Sequence, residues 1–225
     1  MQEHPYTVPL AIVIGGIIVA GAVYFSVAKS PSSSGAGNPS LVRPVSASDH
    51  ILGNPAAKVT IVEYSDFDCE FCKNFHETLH QIVANEGANG QVAWVLREFP
   101  IPELHPNALS HAHAAECVAQ TADNDAFWKF ADSLFADQPA DPSNYGALAK
   151  SAGVVGTDAF ANCFASASTT AIGTRIAADR QNALDIGARG TPFSLILVAG
   201  QPPVVMDGAY SYDAVKLLID RALGN

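Results

Sequence analysis

Residues 58–85 read KVTIVEYSDFDCEFCKNFHETLHQIVAN, and this stretch decides the fold. Lys58 to Tyr64 is β-branched and apolar, the composition of a buried strand. Phe71, Phe75, Leu79, Ile82 and Val83 then recur at helical spacing and predict a helix from about Glu70 to Asn85. Where strand hands over to helix stands Asp68-Cys69-Glu70-Phe71-Cys72.

On a helical turn, positions i and i+3 hold their Cα atoms about 5 Å apart, within the range a disulfide can close. Cys69 falls at the helix amino terminus. There the unpaired N–H groups and the positive end of the dipole stabilise a thiolate. The thiolate is the species that attacks disulfides, so Cys69 reads as the exchange nucleophile. Cys72, one turn further in, reads as the less exposed partner that closes an intramolecular disulfide. A purely structural disulfide would not need the strand–helix junction. Zinc is the sharper rival, because His76 and His80 follow on the same helix. Zinc needs ligands that converge tetrahedrally, and residues strung along one helix do not converge. No second Cys-x-x-Cys exists, since Cys117 and Cys163 stand alone. His76 and His80 therefore read as solvated helix residues, and no metal or other cofactor is expected.

Working outward, Gln91 to Phe99 predicts a second strand, closed by Pro100 and Pro102. Strand, helix, strand makes a βαβ unit with parallel strands. From Pro106 to about Ile186 the pattern is helical, with stripes at Phe127, Phe130, Ala131 and Leu134, at Phe160, Cys163 and Phe164, and from Ile172 through Ile176 to Leu184. Pro192–Val198 and Pro203–Met206 predict a hairpin, and Val215, Leu218, Ile219 and Ala222 a final helix. The fold class is α/β: βαβ, a helical insertion over about 103–187, then ββα, in one domain over 51–225. His111, His113 and Cys117 are conceivable metal ligands but are as readily one face of an Ala-rich helix.

Toward the amino terminus, residues 1–6 form a short tail. Thr7 to Ala28 run 22 residues without a charge. As a helix this is about 33 Å long, enough to span a bilayer, and it predicts an anchor at 7–28. Ser26-Val27-Ala28 would fit a signal-peptide cleavage site, but the stretch exceeds the usual signal core and no Lys or Arg precedes it. Residues 29–50, with Ser-Pro-Ser-Ser-Ser-Gly-Ala-Gly at 30–37, predict a flexible linker. Lys29 and Arg43 after the apolar segment favour a cytoplasmic body, whereas the thiol chemistry favours an oxidising compartment. The chemistry is given precedence.

The 225 residues are 48% hydrophobic and 15% charged, which excludes a disordered chain or a coiled coil. Net charge is −10 with no Lys/Arg cluster, which argues against a nucleic-acid partner. There is no phosphate-cradling glycine loop and no Gly-x-Ser-x-Gly elbow.

In Glu63, the Cys69–Cys72 pair, Phe127-Trp128-Lys129-Phe130 and Gly190-Thr191-Pro192, the chain resembles thioredoxin-fold disulfide oxidoreductases. It is most similar to the DsbA-like group, in which a helical block interrupts the core. The resemblance covers about residues 51–225. It implies a cis proline at Pro192 facing the cysteines, with Thr191 and Pro192 pairing with an extended substrate segment. It implies that Glu63 is a buried acid exchanging protons with Cys72, where a strand-end acid paired with Lys58 is the bland alternative. Some relatives carry a second disulfide in the helical block, which here would join Cys117 and Cys163; two free buried thiols are the alternative. Strongly oxidising members have proline and histidine where this chain has Glu70-Phe71. An anion beside Cys69 disfavours its thiolate, so a moderate oxidant is expected.

The expected function is disulfide formation in extracytoplasmic proteins by a single-pass membrane protein. Its partners would be reduced, Cys-containing substrates and a membrane redox protein that reoxidises the pair. The alternatives are a disulfide isomerase or reductase, or a non-catalytic tethered chaperone or binding module.

Overall fold

The computed structural model describes residues 37–224. Five strands form one sheet in the order β1-β3-β2-β4-β5: β1 His50–Gly53, β2 Val59–Ser65, β3 Val92–Glu98, β4 Phe193–Val198 and β5 Val204–Asp207. β2 and β3 run parallel, joined through α1, Glu70–Asn85. β4 and β5 form an antiparallel hairpin beside β2. The edge strand β1, antiparallel to β3, is an element that periodicity over four residues does not reveal. Between β3 and β4 come α2 Ala108–Thr121, α3 Asn124–Ala136, α4 Tyr145–Ala152, α5 Thr157–Ser166 and α6 Ala171–Ile186. The chain ends on α7, Tyr212–Leu223.

Alternate residues of the central strands serve two cores. Ile61, Trp94 and Leu96 face a cluster with Phe75, Leu79 and Ile82 of α1 and Val215 and Ile219 of α7. Val62, Tyr64 and Val95 face the other cluster, with Ala183 and Ile186 of α6. Burial on both sides explains the largely apolar composition of β2. Phe75, Leu79 and Ile82 are each fully enclosed, contributing about 1.5–3 kcal/mol apiece. They fix which face of α1 lies on the sheet. The helix ends at Asn85; two residues on, at Gly87, a Cβ would come within 2.5 Å of the Val83 carbonyl and 2.8 Å of the Val92 carbonyl.

The expected tail at 1–6 and anchor at 7–28 lie outside the described residues. Among the described residues, no helix is long and apolar enough to cross a membrane.

The segment 29–50, read from sequence as a flexible linker, is fastened to the fold in its described part. Arg97 on β3 is a buried cation and needs acceptors. It donates from Nε to Asp49 at 2.8 Å, from Nη1 to the Arg43 carbonyl at 3.1 Å and from Nη2 to the Pro44 carbonyl at 3.2 Å. Asn182 of α6 accepts from the Arg43 amide at 3.0 Å and donates to the Leu41 carbonyl at 2.8 Å. Arg43 pairs with Asp179. A buried charge on a strand some fifty residues away in sequence thus draws the segment over the sheet, and low complexity at 30–40 gives no sign of it.

Candidate active site

Cys69 is the N-cap of α1, with extended backbone (φ −79°, ψ 120°). It is 6% exposed, Cys72 is fully buried, and both are unbridged thiols. The three residues between β2 and Cys69 are held on every side. The Asp66 carboxylate, itself buried, accepts from the Asp68 amide at 2.9 Å, the Ile101 amide at 2.8 Å and His105 Nδ1 at 3.0 Å. The Phe67 carbonyl accepts from Gln138 Nε2 at 2.8 Å. Asp68 lies 3.0 Å from His111 Nε2, and His111 Nδ1 lies 2.6 Å from the Tyr145 hydroxyl. Burial favours neutral His111, so it donates to Asp68 and accepts from Tyr145. The helical insertion therefore grips the loop that carries Cys69 and preorganises the sulfur.

Across from it, the Thr191–Pro192 peptide is cis. Cys69 Sγ lies 3.4 Å from the Thr191 carbonyl. The Cys69 thiol is pulled down from 9.0 to about 6, chiefly by a hydrogen bond from Cys72. Burial opposes this, while Thr191 and the amides of Cys72 and Phe71 add to it. Glu70 is exposed and is not among these largest influences, so the local anion weighs less than the sequence reading gives it. Cys72 goes the other way. Burial, the hydrogen bond it donates to Cys69 and the nearby Glu63 all keep its proton on. One sulfur is primed to ionise and its mate to stay protonated.

Glu63 sits on β2, fully buried, on the sheet face that meets α1. Among the described residues neither carboxyl oxygen has a hydrogen-bond partner; Ser65 and Trp94 ease its charge without reaching bonding geometry. Burial pushes its carboxyl up to about 8. Lys58, the partner of the bland reading, is exposed at the far end of the strand.

Cys117 on α2 and Cys163 on α5 are joined in a disulfide spanning 46 residues. His111 serves Asp68 and Tyr145, so it forms no ligand set with His113 and Cys117. His76, read as solvated, is buried: its ring lies against Trp94 and Phe135. The helix turns this residue inward because it follows Cys72 and precedes Leu79 on the packed face. Asp66, Asp68, His105 and Gln138 were missed as site residues, since no spacing in the sequence links them. Only Asp66 and Asp68, which flank the motif, carried even a hint.

A thioredoxin family model matches residues 46–221. BdbD from Bacillus subtilis has a TM-score of 0.68 at 23% identity, covering 85% of this chain and 99% of that one. The thiol-disulfide exchange protein alpha-DsbA2 from Wolbachia pipientis has a TM-score of 0.64 at 22% identity, covering 76% and 85%. Among curated proteins, Na(+)/H(+) antiporter NhaA 1 from Mycolicibacterium gilvum is 35% identical over 99 residues. That match takes in 44% of this chain and only 15% of the antiporter. The family match spans most of the chain, and the same residues build the sheet, the insertion and the paired thiols: the protein belongs to the thioredoxin family.

Proposed function

We propose that this protein is a thiol–disulfide oxidoreductase that introduces disulfides into extracytoplasmic proteins through Cys69 and Cys72. The observation that carries the reading is the placement of the pair: Cys69 at the N-cap of α1, 3.4 Å from the Thr191 carbonyl beside the cis Pro192, with Cys72 fully buried one turn behind it. In the oxidised enzyme, a substrate thiolate attacks Cys69 Sγ. The Cys69–Cys72 bond breaks, and Cys72 leaves with the electron pair and takes up a proton. Glu63, buried and drawn toward neutrality, is the group that supplies it. A second substrate thiolate then attacks the substrate sulfur of the mixed disulfide, and Cys69 departs as a stabilised thiolate. Substrate is oxidised by two electrons and the enzyme pair is reduced by two.

Thr191 and Pro192 border the sulfur and would pair with an extended substrate backbone, with Phe71, 66% exposed, as an apolar contact beside it. A bonded Cys117–Cys163 pair suits an oxidising compartment. We place the domain outside the cytoplasm on an anchor at 7–28, reoxidised by a membrane partner. The ion transport in the curated relatives' names belongs to chains of which the matched part is 15%, and is not carried over.

Equilibration of the chain with glutathione buffers tests the reading. A potential around −120 mV supports an oxidase, and one around −270 mV supports a reductase instead. Cys69→Ala abolishes exchange if the reading holds; full function in that variant would leave a non-catalytic binding module.

A further inference from the structure

The side of α1 that carries His76 and His80 meets α3 at Asp132. Asp132 Oδ1 lies 2.7 Å from His76 Nε2 and 2.8 Å from His80 Nε2, and the two Nε2 atoms are 3.1 Å apart. All three ligand-type atoms converge on one point. Around a zinc ion with bonds of about 2.0–2.1 Å, tetrahedral ligand atoms stand about 3.3 Å apart. Each pair has only a few tenths of an ångström to open. His76 is the fixed member: its side chain is 5% exposed, walled by Trp94, Trp128 and Phe135. Its far nitrogen, Nδ1, is buried with no partner among the described residues, and the Nε2 side of the ring is aimed at Asp132 and His80. His80 and Asp132 are 36% and 47% exposed and border a depression of about 420 Å³, with Lys73, Glu77 and Gln81 around its rim. Water can therefore reach the fourth position.

We propose that His76, His80 and Asp132 bind one zinc ion, with water completing a tetrahedron, and that the ion clamps the helix bearing Cys69 and Cys72 to the helical insertion. Two imidazoles and a carboxylate are a borderline donor set, suited to zinc rather than to calcium or magnesium. His76 and His80 stand one turn apart, and the third ligand arrives from another helix. That supplies the convergence a single helix lacks. The site begins one helical turn past Cys72, about 6 Å further along the axis.

The test uses the full chain, untagged, with Cys69→Ser and Cys72→Ser so that no thiol competes for metal; it does not depend on the redox reading. Calorimetric titration with Zn²⁺ alone should give one ion per chain. His80→Ala and Asp132→Asn should each weaken binding by more than the roughly 10–100-fold that loss of a mere supporting group costs. In the unmodified histidine background, Zn²⁺ should shift the imidazole C–H resonances of His76 and His80 while those of His105 and His113 stay put. This readout needs no variant at the site to fold. Absence of stoichiometric uptake, equal binding by both variants, or shifts confined to other histidines would each overturn the proposal.

Discussion

Replacing Cys72 with alanine removes the largest influence on the Cys69 thiol. A hydrogen bond to a charged group is worth about 1.5–3 kcal/mol, and one pKa unit is about 1.36 kcal/mol. The Cys69 pKa should therefore rise by about one to two units from its value of about 6, and no further, because Thr191 and the helix amides remain. At pH 7 the thiolate fraction falls from about 90% to between about 50% and about 10%. Cys72→Ser keeps an O–H donor and should leave the pKa near about 6. The assay is the pH dependence of iodoacetamide alkylation at Cys69, read by mass in wild type and both variants. Identical profiles for alanine and serine would refute the assignment of Cys72 as donor. A wild-type pKa near 3.5 or 9 would refute the electrostatic account as a whole. The same shift stabilises the reduced pair at pH 7 relative to an ordinary thiol, so a disulfide formed between Cys69 and Cys72 should be the more oxidising for it.

Glu63 has a folded pKa raised from 4.5 to about 8, so the fold prefers it protonated and loses stability as pH climbs through that window. Glu63→Gln should then gain about 3 kcal/mol at pH 7 and almost nothing at pH 4, measured by urea midpoints, while slowing disulfide exchange. A variant no more stable than wild type at pH 7 would mean that the carboxyl is solvated. Joint replacement of Cys117 and Cys163 by alanine opens a 46-residue loop and should cost about 4 kcal/mol of stability in a chaotrope titration. A loss under about 1 kcal/mol would show that the loop is already constrained in the unfolded chain. Asp49→Asn strands the Arg97 guanidinium, which is 1% exposed, and should destabilise by about 3–5 kcal/mol. If thermal melting is unchanged, residues 38–49 are not docked as described.

Local physics made the core of this protein legible. Strand composition at Lys58–Tyr64, a 3.6-residue stripe through Phe75, Leu79 and Ile82, and a cysteine at the helix cap are each written within a turn or two of chain. They therefore fixed the βαβ unit, the helical insertion and the order of the two thiols. What they could not contain is convergence. Thr191 meets Cys69 across 122 residues, and Asp49 is drawn in by Arg97 across 48. Asp132 meets His80 and His76 from 52 and 56 residues away, and His76, which the sequence reads as solvated, is buried. Burial of Glu63, and with it the carboxyl's raised pKa, also waits on packing, because a strand's sequence says which face a residue takes but not what comes to cover it. Periodicity assigns each side chain a direction, and only close packing of distant elements decides what it finds there.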